Sequence, residues 1–211
     1  KNSIIVIANF FDKNAILVMD ILPVTIDLIM DCFNNQYFTP DFYPDVAKNL
    51  SFIIEAISKI EDFFDAEIRD KLFDIYKSMS LLPLEFKTDN GNEFANFVLE
   101  STLLGFSRIL KFSKNDPDEN LGLRDSFLNR NSVYKEIFAP ILLLQELNEV
   151  FDNTLLAFLE FMNNAIEILP NRASTRIGRN VHYSWLIRGI ASSNPTIKNR
   201  SKAVFDEFIL I

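Results

Sequence analysis

Histidine and cysteine are nearly absent, with His182 and Cys32 the single copies in 211 residues. A lone cysteine excludes an intrachain disulfide and fits a reducing compartment. One cysteine and one histidine, 150 positions apart, exclude a structural zinc site, which needs several such ligands at short spacing. A nucleophilic triad would have to use His182 as its base, but His182 stands beside Tyr183 and Trp185 and reads as a packed or partly exposed residue. Glycine is held to 5 copies, Gly91, Gly105, Gly122, Gly178 and Gly189, and none belongs to a phosphate-cradling or dinucleotide pattern. So few glycines also leave little room for the tight turns of an all-β fold. Asp116, Asp118 and Asn120 alternate like the start of a calcium loop, yet the glycine falls one place late at Gly122 and the twelfth position is Phe127. Long apolar runs are missing too, because Asn9, Asp12, Lys13 and Asp20 interrupt the first and Gln145, Glu146 and Glu149 a later one, so no segment reaches bilayer length. The expectation is a chain without enzyme activity, cofactor, metal or membrane span.

Phenylalanine is abundant at 21 copies, and apolar residues recur at helical steps throughout. The longest stripe is Leu144, Leu147, Phe151, Leu155, Phe158, Met162, Ala165 and Leu169, with Gln145, Glu149, Asp152, Glu160, Asn163 and Glu167 on the opposite face. Asp152 and Asn153 offer an N-cap that divides it into one helix ending near Val150 and another running to Leu169. A first helix is expected over residues 3–11 and a second over 15–33, broken or restarted at Pro23. Val46, Leu50, Ile53, Ile57 and Ile60 form a third stripe, and Phe64, Ile68, Leu72, Ile75 and Met79 a fourth, which starts near Glu61 and is ended by Pro83. Leu99, Leu103, Phe106 and Leu110 mark a helix over 93–112, and a short helical piece follows near 124–130. Ser192 to Asn194 form a turn, with Pro195 suited to the first position of a last helix. About ten helices in units of roughly 40 residues give an all-α fold of stacked antiparallel hairpins, in the HEAT and armadillo range. The polar stretch 113–123 reads as a mobile loop. The apolar ends, Ile4 to Phe11 and Phe205 to Ile211, suit one helical-repeat domain over 1–211 cut from a longer array.

Charge is unevenly spread. Residues 1–170 carry 14 Lys and Arg against 27 Asp and Glu, whereas residues 171–211 carry 7 against 2. The acidic bulk argues against general nucleic-acid binding, which needs a cationic surface. Arg172, Arg176, Arg179 and Arg188 gather on the helix expected from Pro170 to Ala191, beside His182, Tyr183 and Trp185. Guanidinium groups at such spacing suit a protein partner with an acidic or phosphorylated segment, read by charge-assisted hydrogen bonds. The alternative is internal pairing, with these arginines bridging to Glu160, Glu167 or a neighbouring repeat. Asp62, Asp65, Glu67 and Asp70 mark the outer face of their helix.

Pro23, Asp27, Asp31-Cys32, then Asp41-Phe42-Tyr43-Pro44-Asp45, Asn49, Phe52 to Ile54 and Ala56-Ile57 resemble the exportin branch of the karyopherin-β nuclear transport receptors. Those receptors have a similar helix ending in an acid and Cys, a loop with Phe and Tyr-Pro-acid, and a helix rich in large apolar residues. The likeness covers residues 21–57 and fades beyond Lys59, and Val46 and Ala47 replace the basic residues that follow this turn in the family. It implies a right-handed stack of HEAT hairpins with binding on a concave face, in the cytoplasm or nucleus. The leading expectation is a non-enzymatic scaffold or adaptor; part of an exportin-like receptor and a helical vesicle-tethering subunit are the alternatives. An enzyme using an acid pair on a helical fold would need a deep cleft with two facing carboxylates. The sequence assigns no oligomeric state.

Overall fold

The computed structural model of the protein describes Val6 and residues 20–35, 43–58, 64–80, 91–116, 127–170 and 176–210. The described residues are all-helical, with eight α-helices and no strand among them. They are α1 Leu22–Asn34, α2 Tyr43–Ser58, α3 Ala66–Ser80, α4 Gly91–Ser113, α5 Asn131–Leu143, α6 Asp152–Ile168, α7 Arg176–Ile190 and α8 Pro195–Ile209. The helix expected over residues 3–11 lies outside the described residues apart from Val6, which is helical.

Local chemistry sets several boundaries. Pro23 and Pro44 sit in the first turns of α1 and α2, where the missing N–H leaves no intrahelical bond broken. The helix expected near Glu61 begins instead at Ala66, because the Asp65 carboxylate accepts from the N–H groups of Glu67 at 2.9 Å and Ile68 at 3.1 Å and so caps it. Asn194 caps α8 by accepting from the Thr196 N–H at 3.0 Å, with Pro195 next, as the sequence indicates.

The long stripe divides as expected, although α5 stops at Leu143, short of Val150, and a 3-10 turn, Leu144–Glu146, follows. Asp152 is not the cap. The capping position is Phe151, whose own side chain cannot accept a hydrogen bond, and the acceptor comes from another helix. Asn96 of α4 accepts from the Phe151 N–H at 2.8 Å and the Thr154 hydroxyl at 2.9 Å, and its amide donates to the Glu149 carbonyl at 2.8 Å. Asn92 exchanges two further bonds with the Glu149 backbone. The segment entering α6 is therefore held by side chains from α4, and the buried Asn96 is fully satisfied.

Contact partners change along the helices in a regular way. Between α4 and α6, Asn96 meets Thr154, Asn164 meets Ser107 and Lys114 meets Glu167, at separations of 58, 57 and 53 residues. A nearly constant separation means the two helices run parallel. Glu55 of α2 meets Arg108 of α4 at a separation of 53, Asp27 of α1 meets Lys71 of α3 at 44, and Asp152 of α6 meets Asn194 of α8 at 42. Within α3 and α4 the opposite holds: Tyr76 and Phe73 meet Phe106 while the earlier Phe64 meets Phe112, so these two helices form an antiparallel hairpin. The pair α7 and α8 is also antiparallel, since His182 meets Phe208, Tyr183 meets Phe205 and Gly189 meets Ser201. The helices fall into two rows in chain order, α1, α3, α5, α7 and α2, α4, α6, α8, with successive members of each row packed together. The unit is longer than roughly 40 residues in the middle of the chain, where α4 alone spans 23 residues.

Helix α4 is the spine. Its expected stripe, Leu99, Leu103, Phe106 and Leu110, is buried, and so are Val98, Ile109 and Phe112 on its other faces. Buried polar groups there are bonded: the Thr102 hydroxyl donates to the Val98 carbonyl at 2.7 Å and Asn164 donates to the Ser107 hydroxyl at 2.5 Å. At Gly105 an added Cβ would lie 2.0 Å from the Tyr76 ring, so glycine is what admits that ring against the helix backbone. The stretch expected to be a loop over 113–123 starts as the end of α4, and Asp116 is buried beneath Arg69, whose guanidinium donates to it at 2.5 Å and stacks on Phe127 at 4.1 Å. Residues 117–123 lie outside the described residues.

Candidate functional site

The basic segment identified in the sequence forms α7 and continues into α8. Arg172 lies outside the described residues; Arg176 and Arg179 lie in the first turn of α7, with their side chains outside the described set. Arg188 is exposed, its guanidinium 4.8 Å from the centre of the Trp185 ring. That distance is within cation–π range, so the indole face holds the charge outward without neutralising it. Trp185 itself is buried.

His182 is buried on the same helix, with its ring 5.4 Å from Phe138 of α5 and 5.7 Å from Phe208 of α8. Neither ring nitrogen has a hydrogen-bond partner among the described residues. Burial in this aromatic setting lowers its pKa to about 4, so the imidazole is neutral at pH 7 and adds nothing to the local positive charge. Its task is to join α7 to α5 and α8.

Sequence reasoning named the arginines but not Lys198, Arg200 and Lys202, which are exposed along α8. The signal was available: residues 171–211 hold only Asp206 and Glu207 as acids, and Lys198 and Lys202 stand four apart on one helix face. The close approach of Gly189 to Ser201 and Ile197 sets the register that brings Arg188 level with this stretch of α8. Among the described residues, Arg188, Lys198, Arg200 and Lys202 have no ion pair.

Elsewhere several cations hold carboxylates, buried at Arg69 and Arg108 and exposed at Lys114. Arg108 bridges Glu55 of α2, at 2.9 Å, and Glu160 of α6. Arg69 holds Asp70 and Asp116, Lys71 holds Asp27 and Glu67, and Lys77 holds Glu136. Lys114 donates to Glu167 at 2.6 Å, and this bond holds the Glu167 carboxyl below the usual range. Glu160 and Glu167, the acids named for internal pairing with the arginines of α7, thus hold Arg108 of α4 and Lys114 just after it. The acids expected on the outer face of α3 divide: Glu67 and Asp70 are exposed, Asp65 caps the helix, and Asp62 lies outside the described residues.

Among the described residues no group of three or more His, Cys, Asp or Glu is gathered as a metal site would require. No helix among them is long and apolar enough to cross a membrane. The chemistry this arrangement offers is electrostatic recognition at an exposed cationic hairpin with a buried aromatic floor. Comparison with family models, curated proteins and solved structures found no match to this chain.

Proposed function

We propose that the chain is a helical-repeat scaffold of HEAT or armadillo type, and that it binds a protein partner through the hairpin of α7 and α8, which receives an acidic or phosphorylated segment. One observation carries this reading: Arg188, Lys198, Arg200 and Lys202 are exposed without an ion pair among the described residues, while Arg69 and Arg108 are buried against carboxylates. Exposed charge of one sign steers encounter and selects partners of the opposite sign. The two rows of helices support the repeat reading, because each hairpin shields its neighbours and leaves side chains on the outer faces for binding.

The test is capture on an immobilised peptide of alternating glutamate and phosphoserine, with melting temperature measured alongside. Arg176→Glu with Arg179→Glu, and separately Arg188→Glu with Lys202→Glu, should abolish capture and leave the melting temperature within a few degrees. Capture unchanged in both variants with lowered melting temperature would mean that these cations stabilise the fold instead.

A second reading, part of an exportin-like transport receptor acting in the cytoplasm or nucleus, is favoured by one feature. Helix α1 carries Asp31-Cys32 in its last turn and α2 opens at Tyr43-Pro44-Asp45, so the resembling residues fall at a helix end and a helix start. Pull-down with GTP-loaded Ran separates the two readings.

A further inference from the structure

We infer that the hairpin of α7 and α8 is an acid-released module, in which protonation of His182 undocks both helices from α5 and α6 while α1 to α6 stay folded. Buried polar groups without a partner among the described residues gather at this hairpin: both ring nitrogens of His182, the Trp185 indole nitrogen and the Ser201 hydroxyl. Each loses water and gains no bond in return, so docking the hairpin carries a standing penalty. Helices α7 and α8 also pack more extensively on each other than on their neighbours. Further back in the rows, helices are tied by ion pairs: Arg108 joins α4 to α2 and α6, and Lys77 joins α3 to α5. The hairpin meets α6 through Asn194, which donates to the exposed Asp152 at 2.8 Å, and α5 through the rings of His182 and Phe138. A unit packed mainly on itself is the kind that opens before the whole.

The imidazole supplies the trigger. Its ring lies between Phe138 and Phe208, with Tyr134 packed on Phe138 and Tyr183 on Phe208. The acids of the surrounding helices are engaged or exposed: Glu136 of α5 holds Lys77, Glu160 and Glu167 of α6 hold Arg108 and Lys114, and Asp206 and Glu207 of α8 are exposed. Lys135 of α5 and Lys198, Arg200 and Lys202 of α8 are exposed cations, and the charged residues of α7 are all arginines, Arg176, Arg179 and Arg188. A proton on His182 therefore places a charge among aromatic rings with no counter-ion, and burial draws its pKa from 6.5 to about 4. In the undocked hairpin the ring meets water and takes up the proton between those values, so acid favours release. Release bares Phe138, Trp185 and Phe208, which are buried in the docked state.

Tryptophan emission and far-UV circular dichroism of the full chain, followed together from about pH 7.5 to about pH 3.5, test this. Trp185, the one tryptophan, lies in the hairpin, and its emission should move to longer wavelength about one pH unit or more before the helical signal falls. In His182→Leu and in His182→Gln the early step should be gone and the two signals should change together. Native-state hydrogen exchange of the wild type at about pH 7 and about pH 5 covers the case in which neither variant folds. At the lower pH the amides of α8 should lose protection relative to those of α4 by about tenfold or more. A single transition in the wild type, with protection lost equally in α4 and α8, would overturn the inference. An early step that survives in both variants would also overturn it, since another group would then be the trigger. No ligand enters these measurements, so the binding reading stands or falls separately.

Discussion

Lowering the pH should loosen the packing of α7 against α5 and α8, through His182. The imidazole is 1% exposed, lies between Phe138 and Phe208, and has no acceptor or donor among the described residues to stabilise its charged form. Its pKa falls from 6.5 in an unfolded chain to about 4 in the folded one. Between those values the unfolded state binds the proton and the folded state does not, so stability is lost as pH falls through that window. The loss is about 2 kcal/mol between pH 7 and pH 5 and about 3 kcal/mol once pH reaches 4. Carboxylates also titrate in acid, so the useful quantity is a difference of differences. Urea denaturation of the wild type and of His182→Leu at pH 7 and at pH 5 isolates the histidine. The variant should lose about 2 kcal/mol less than the wild type over that interval. Equal losses would refute the reasoning and mean that His182 reaches water or a hydrogen-bond partner in solution.

Three further outcomes follow from the packing. Asn96→Ala should destabilise the protein by about 2 to 4 kcal/mol by chemical denaturation, because it strips the acceptor from Phe151 and Thr154 and the donor from Glu149 in one step. Gly105→Ala should cost about 2 to 3 kcal/mol, since its Cβ would sit 2.0 Å from the buried Tyr76 ring. Arg108→Met should cost about 2 kcal/mol or more, as it leaves Glu55 and Glu160 facing each other without the cation between them, and a double substitution with Glu160→Gln should recover part of that loss.

The sequence carried the elements better than their connections. The α4 stripe of Leu99, Leu103, Phe106 and Leu110 and the start of α8 at Pro195 were legible, because each depends on residues a few positions apart. The cap of α6, expected at Asp152 or Asn153, is supplied instead by Asn96, more than fifty residues earlier in the chain, and no local pattern announces such a partner. Arg108 was invisible for the same reason: a lone arginine between Ser107 and Ile109 looks like a solvated position until α2 and α6 bring Glu55 and Glu160 to it. Asp116 sat in a run of polar residues that reads as loop, yet Arg69 draws it into the interior. The outer stripe of α1 could not be told from its inner one, since Ile, Val and Leu occupy both sides and only packing on α3 decides which is buried.

Because Trp185 is the one tryptophan of the chain and lies beneath Arg188, its fluorescence reports directly on the hairpin. Titrating the protein with the glutamate and phosphoserine peptide at low salt should give a saturable change in that emission, lost at high salt and in Arg188→Glu with Lys202→Glu. Emission that stays flat, or that changes equally in the charge-reversed variant, would contradict the claim that this hairpin is the binding surface.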